Sequence, residues 1–324
     1  MIQAPQPPIA VGLHAVLIAV TRETPRLLTL ARDGLDGLPY GPLDAERDRT
    51  LEKALRARLR ELTSLEVGYV EQLYTFGDRN RDPGERRGGP RNISISYLSL
   101  ALEEPMAERG IRWRDVYECF PWEDWRAGRP EILDARIAPA LDGWVAAASA
   151  GEATARRDRV DISFGFSGAP WDGERVLDRY ELLYEAMLVD EAFRDHGEPI
   201  AGDVRALDLG VAMRSDHRRI LATAIGRVRG KIRYRPVVFE LVPDVFTLLE
   251  LQRTVEALAG QGLHKQNFRR LVERGGLVEA TGRTATGKTG RPAMLFRFRR
   301  DVLRERPAPG VGLPGLPSAK APRS

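Results

Sequence analysis

Apolar residues recur along this chain first at every second position and then at every third and fourth, and the changes of period mark out its elements. Residues 9–32 read as two strands, IAVGLHAVLIAVT and RLLTLAR, joined by a turn around Glu23-Thr24-Pro25. Leu35 to Leu43, with Gly37, Pro39, Gly41 and Pro42, predicts a loop. From Asp44 the spacing becomes helical: DAERDRTLEKALRARLRELTSL aligns Leu51, Ala54, Leu55, Leu59 and Leu62 on one stripe. Two more strands follow, at 67–76 and 92–102, separated by the charged, Gly-rich stretch GDRNRDPGERRGGPR.

The middle of the chain is less regular. WRDVYECFPWEDWRAGRPEIL gathers Trp113, Tyr117, Phe120, Trp122 and Trp125, a density that suits a core, a dimer interface or a surface for stacking a purine. A helix is expected over Glu131–Ala148 with Ile132, Ile137, Leu141 and Val145 inward, then a solvated turn at GEATARRDR. Asp178–Phe193 is amphipathic and predicts one more helix. Ser215-Asp216 should cap a helix running to Gly230, with Ile220, Leu221, Ala224, Ile225 and Val228 facing inward, and this helix would link the two halves of the chain.

The C-terminal pattern is the most specific. Thr247-Leu-Leu-Glu250 is a capping box, and the helix it opens carries Leu248, Leu251, Val255 and Leu258 on one face. Gly260 and Gly262 break that helix, and a second starts near His264, with Phe268, Leu271 and Val272 on one side. Its other side shows Gln266, Arg269 and Arg270, flanked by Lys265 and Asn267. Two short strands, Leu277–Glu279 and Met294–Phe298, enclose the loop TGRTATGKTGRP. Helix, tight turn, basic helix and basic hairpin describe a winged helix-turn-helix whose second helix enters the major groove. On that reading Lys265, Gln266 and Arg269 face base edges with Asn267 and Arg270 beside them, and Arg283, Lys288 and Arg291 in the wing meet phosphate.

Charge strengthens the assignment. Residues 261–300 hold ten Lys or Arg against Glu273 and Glu279, a net +8, whereas the whole chain is +4 and the remainder therefore −4. Such a local basic block is the footprint of a polyanion-binding surface. At 324 residues the chain should divide into residues 1–105, an extension at 106–214, a linker helix plus winged helix at 215–305, and a disordered tail at 306–324. The single cysteine, Cys119, allows no internal disulfide and no cysteine metal cluster, which fits a reducing cytoplasm. The apolar run Val11–Val20 contains His14 and is too short to span a bilayer, so no membrane partner is expected.

The order strand, strand, loop, helix, strand, loop, strand resembles a Nudix domain, which implies an α/β (α+β) chain beginning with an α/β/α sandwich on a mixed sheet. The family's metal-binding helix matches Ala57–Leu65 only in part: Glu61 is retained, but Arg58 and Leu62 stand at the other two glutamate positions and Ser64 at the glycine. Arg58 would put a cation where Mg²⁺ charge should sit, so the residues predict an Arg58–Glu61 pair, no catalytic residue and no metal. The resemblance leaves a pocket for nucleoside diphosphate derivatives. Candidates to line it are Arg32, Arg79 and Arg91 for phosphate and Tyr40 to stack on a base. RGKIRYRP through FELVPDVFTLLELQ, HKQNFRRLVERGGLVEATG and TGRPAMLFRF resemble the Nudix-related, NrtR-like transcriptional regulators of NAD metabolism. YVEQLYTFGD, FPWEDWRAGRP and RYELLYEAMLV resemble the longer alphaproteobacterial NadQ-type branch. That family implies a homodimeric repressor of NAD-biosynthesis genes, bound to a double-stranded DNA operator, requiring no cofactor and sensing an adenine nucleotide-type effector (ADP-ribose, NAD(P) or ATP-like). Two other classes stay open: an active Nudix hydrolase with an appended nucleic-acid module, and an RNA-binding protein. Against the second, Phe268, Phe296 and Phe298 of the basic segment fall at core-like positions and offer no stacking platform.

Overall fold

A computed structural model describes residues 8–79, 81–106, 110–285 and 292–312. The chain begins with β1 (Ile9–Thr21), β2 (Thr24–Arg32), β3 (Leu35–Gly37), β4 (Tyr40–Pro42), α1 (Leu51–Thr63), β5 (Tyr69–Phe76), α2 (Pro83–Arg86), β6 (Arg91–Leu100) and β7 (Ile111–Asp115). A helical stretch follows: α3 (Val116–Cys119), α4 (Ala138–Ala146), α5 (Ala150–Phe164), α6 (Val176–Glu185), α7 (Asp190–His196), α8 (Gly202–Ala206) and α9 (His217–Tyr234). The C-terminal part is β8 (Phe246–Thr247), α10 (Leu248–Ala259), α11 (Lys265–Arg274), β9 (Val278–Ala285), β10 (Ala293–Phe298) and α12 (Val302–Glu305).

The first seven strands form one mixed sheet in the order β3-β2-β1-β6-β5, with β4 added to β1 and β7 to β2. Only β1 and β6 run parallel, from Ile9↔Arg91 to Ile18↔Leu100. Side chains of β1 alternate between faces: Leu13, Ala15 and Leu17 meet Ala54, Leu55 and Leu59 of α1, while Val16 and Ile18 face the helical stretch. The sheet is thus covered on both sides, and the larger core runs without a break from Val16 through Trp122 and Leu221 to Leu251 and Phe268. Among the described residues no helix is long and apolar enough to cross a membrane.

Several expectations need correction. Residues 35–43 are not a plain loop but contain β3 and β4. The reason lies in β1: β2 pairs only with Ile18–Thr21, so the amides of its first half need another partner, and β4 supplies it at Gly12↔Pro42 to His14↔Tyr40. α1 starts at Leu51 rather than Asp44, because Asp44 closes its own turn by accepting from Glu46 N and Arg47 N, and Thr50 is the cap. GEATARRDR lies inside α5, opened by a Ser149–Glu152 capping box. Asp178–Phe193 is broken into α6 and α7 by Met187 at φ 56°. α9 continues to Tyr234, and Asp216 precedes it without capping it, since its carboxylate is committed elsewhere. Of the tail expected to be disordered, residues 306–312 are seated: Val311 N donates to Ile232 O at 2.8 Å and its side chain is buried. The rest of that tail lies outside the described residues.

A buried ionic cluster joins the helical stretch to the C-terminal part. Glu123, 1% exposed, accepts from Arg179 Nε at 2.5 Å and Nη2 at 3.0 Å, and from Arg229 Nη1 at 2.5 Å. Arg179 also donates to Ser163 O and Asp172 O, both at 2.9 Å, and stacks on Trp171. Arg229 reaches Leu258 O, at the carbonyl end of α10, at 3.2 Å. Burial pushes the Glu123 carboxyl up, but Arg179 and Arg229 outweigh it and hold the group below the usual carboxylate range. A depressed folded value means that the stabilisation is complete above the unfolded value of 4.5 and is lost as pH falls through the lower, folded one. Glu123→Ala leaves two guanidinium groups buried together and should cost about 3–5 kcal/mol. Urea titration at neutral pH is expected to show that loss, and the difference between wild type and variant should shrink progressively below pH 4.5.

Candidate functional site

Among the described residues, two places bear most directly on binding. The first is the helix pair α10 and α11. The capping box of α10 is present in both directions, Thr247 Oγ1 accepting from Glu250 N and Glu250 Oε2 from Thr247 N. Gly260 ends the helix at φ 69°, and a Cβ there would stand 2.4 Å from Glu123 O, so the close approach of the aromatic loop requires glycine. Trp125 N donates to Gly260 O at 2.6 Å. The turn into α11 is tied by buried polar side chains: Glu256 Oε1 accepts from Leu263 N at 2.8 Å and from Gln252 Nε2 at 2.9 Å, and Gln252 also donates to Leu263 O.

α11 is seated by Phe268 and Val272, each burial contributing roughly 1.5–3 kcal/mol. Leu271, expected inward with them, is 36% exposed, because α11 makes its contact along one narrow stripe. Lys265, Gln266, Asn267, Arg269 and Arg270 are all exposed on the outer face. Arg270 Nη2 donates to Asn267 Oδ1 at 3.1 Å, so these two side chains act as a unit. Arg283 projects from β9 and is exposed. Lys288 and Arg291 lie outside the described residues.

The second place is a cavity of about 410 Å³ between the large sheet and the start of α9. Leu30, Leu38 and Ile93 give it an apolar lining, and Arg32, Tyr40, Arg81, Arg214, Asp216, His14 and His217 a polar one. Arg81 makes a two-pronged ion pair with Asp216, Nε to Oδ2 at 2.8 Å and Nη2 to Oδ1 at 2.6 Å, and Nη1 donates to Ser94 Oγ at 2.6 Å. His217 Nδ1 accepts from Leu38 N at 2.9 Å, which places its proton on Nε2. Burial, His14 and Arg214 push His217 well below the usual histidine value. Burial, with Arg81 and Arg214, likewise lowers His14 to about 3. Both rings are therefore neutral at working pH, and His14 Nδ1 has no hydrogen-bond partner among the described residues.

Arg32 and Tyr40 line this cavity as expected; Arg79 and Arg91 do not. Arg91 turns back to donate to Gly77 O at 2.7 Å, and Arg79 stays exposed outside the cavity. Their place is taken by Arg81 and Arg214. One signal in the sequence pointed to the cavity: His14 interrupts an apolar strand and has to face something polar. On α1, Arg58 Nη1 lies 3.4 Å from Glu61 Oε2 and Nη2 3.6 Å from Asp48 Oδ2, with its stem against Gly41. Glu61 is thus paired and faces solvent. Cys119 is fully buried and its thiol is pushed up to about 12, which leaves no reactive thiolate.

Comparison with known proteins adds a direct result. Residues 238–298 match the NrtR DNA-binding winged helix domain. That segment, which holds α10, α11, β9 and β10, is similar to an NrtR winged helix. The NrtR of Shewanella oneidensis, solved with a 27mer DNA, superposes with a TM-score of 0.55 at 21% identity, over 91% of this chain and 95% of that one. A MutT/nudix family protein from Enterococcus faecalis gives 0.51 at 14% identity, over 92% and 89%. These likenesses establish the NrtR fold, a Nudix-like domain followed by a winged helix. The ADPR responsive transcriptional repressor NtrR of Acinetobacter baylyi is 36% identical over 124 residues, which is 36% of this chain and 48% of that protein. The chain therefore spans about half the length of the curated relative it matches.

The match to the NrtR winged helix domain begins at 238, so α9 lies outside it and bridges the cavity and the winged-helix part. Tyr40 is held in the cavity wall by Gly12, where a Cβ would fall 2.2 Å from the ring. Gly12→Ala should cost about 1–3 kcal/mol by forcing that ring away. In a Tyr40→Ala background the same change should cost almost nothing, and chemical denaturation of the double-mutant cycle measures the coupling.

Proposed function

We propose that this chain is a DNA-binding transcriptional regulator, a repressor of NAD-biosynthesis genes, whose Nudix-like domain binds a nucleotide instead of hydrolysing one. The observation that carries the reading is α11: five polar or cationic side chains on its exposed face, on a helix seated by Phe268 and Val272 within an NrtR winged helix. The DNA-bound Shewanella relative supports duplex DNA as the partner. The ADPR responsive Acinetobacter relative supports ADP-ribose as the first effector to try, with NAD(P) and ATP-like nucleotides as competitors. One winged helix per chain buries too little surface for specific affinity alone, so a homodimer on a two-fold operator is part of the proposal. A cytoplasmic location follows from the same role. Against a hydrolase stands Arg58 beside Glu61, a cation in place of a metal-binding carboxylate.

The division of labour within the winged helix is testable by fluorescence anisotropy with a duplex selected from a random pool. Arg269→Ala should cost about 1–3 kcal/mol and relax sequence preference, as loss of a base-edge contact does. Arg283→Ala should weaken all duplexes alike and flatten the salt dependence by about one unit. Identical sequence profiles for the two variants would refute the assignment. Sedimentation of the complex should give two chains per duplex; a single chain would remove the dimer.

With Mg²⁺, cleavage of ADP-ribose or NADH should remain at background. Turnover that disappears in Glu61→Gln would restore the hydrolase reading.

A further inference from the structure

The cavity and the DNA-binding part are joined through one side chain with two possible partners. Arg81 sits in the loop between β5 and β6 and lines the cavity, yet its whole guanidinium is spent on Asp216 and Ser94. Asp216 is the residue immediately before α9, and α9 carries Arg229 onto the carbonyl end of α10. The Arg81–Asp216 pair is almost completely buried, 6% and 4% exposed, so neither partner can exchange the other for water at little cost. Two further features of the cavity point to a polar ligand. His14 is 5% exposed and its Nδ1 has no partner among the described residues, and Arg214 adds a second cation to the cavity lining.

We propose that Arg81 is a shared donor, bound to Asp216 as seen here and claimed by a phosphate oxygen of the nucleotide when it binds, so that occupancy of the cavity is passed to α9 by releasing Asp216. This rests on the effector reading given above. A diphosphate competes well for a guanidinium because it brings more charge than one carboxylate and accepts the same parallel pair of hydrogen bonds. Asp216 then loses its partner in a buried position. Burial already pushes its carboxyl above the usual range, so the released group must take up a proton or turn toward water. Either response changes the contacts at the first turn of α9. The last turns of that helix are locked to α10 through Arg229, so a shift at one end is felt at the other.

The test is calorimetric titration of the full-length protein with ADP-ribose, paired with anisotropy on the selected duplex with and without ADP-ribose. In the wild type ADP-ribose should change duplex affinity by about ten-fold or more. Asp216→Asn frees Arg81 for the ligand, so it should bind ADP-ribose more tightly than wild type, while its duplex affinity changes by less than about two-fold on adding ADP-ribose. Arg81→Lys loses the fork and should weaken ADP-ribose binding and the duplex response together. A purely structural role predicts weaker binding in both variants, so the opposite signs are the decisive feature. Asp216→Asn binding no tighter than wild type, or keeping the full duplex response, overturns the shared donor while leaving the effector reading intact. If Asp216→Asn does not melt cooperatively, Arg81→Lys decides: unchanged ADP-ribose affinity with a full response overturns it. No heat from wild type with ADP-ribose sinks both the effector reading and the shared donor.

Discussion

The structure depends most on Glu123 and the two arginines that share it. Three segments far apart in the chain, the aromatic loop, α6 and α9, each deliver one member. A carboxylate in a core is tolerable only when its charge is neutralised and its lone pairs are occupied, and here both conditions need all three segments in place. The cluster therefore selects one arrangement of the helical stretch among the many that apolar packing alone would allow. It also extends to the winged helix, because Arg229 Nε donates to Leu258 O. Position and orientation of the winged-helix part are fixed by directional bonds as well as by area.

How far the sequence revealed this follows from the range of the interactions. The winged helix was readable because its determinants are local: a capping box four residues long, glycines at the turn, and apolar residues three or four apart on each helix. The two long strands at the N-terminus and α1 were readable for the same reason. Among the described residues, the middle was not. Glu123 and Arg179 are 56 positions apart, and Glu123 and Arg229 are 106, so no spacing rule connects them. β3 and β4 escaped notice because Gly and Pro signal turns, whereas here they sit in short strands recruited by unpaired amides of β1. α5 was missed because its charged sequence hid a Ser149–Glu152 box of the same kind that identified α10.

The cavity illustrates a different limit. The loop between β5 and β6 is full of arginines, and from the sequence Arg79 and Arg91 are expected to face the cavity. Which one turns inward depends on its distance from Asp216, a residue 135 positions away, and on Ser94 of the neighbouring strand. Arg79 and Arg91 have the right chemistry in the wrong direction. Arg81, between them, has the partner that holds it over the cavity.

Cys119 has a practical consequence for anyone who wants to watch this protein move. It is the only cysteine in the sequence, it lies in the core, and burial keeps its sulfur protonated. A thiol introduced on an exposed position of α11 or near the start of α9 would thus be the one accessible thiol, the group with which a maleimide dye reacts fastest. Distances between such dyes are then open to fluorescence or spin-label measurement on the native background, with no residue of the core exchanged first.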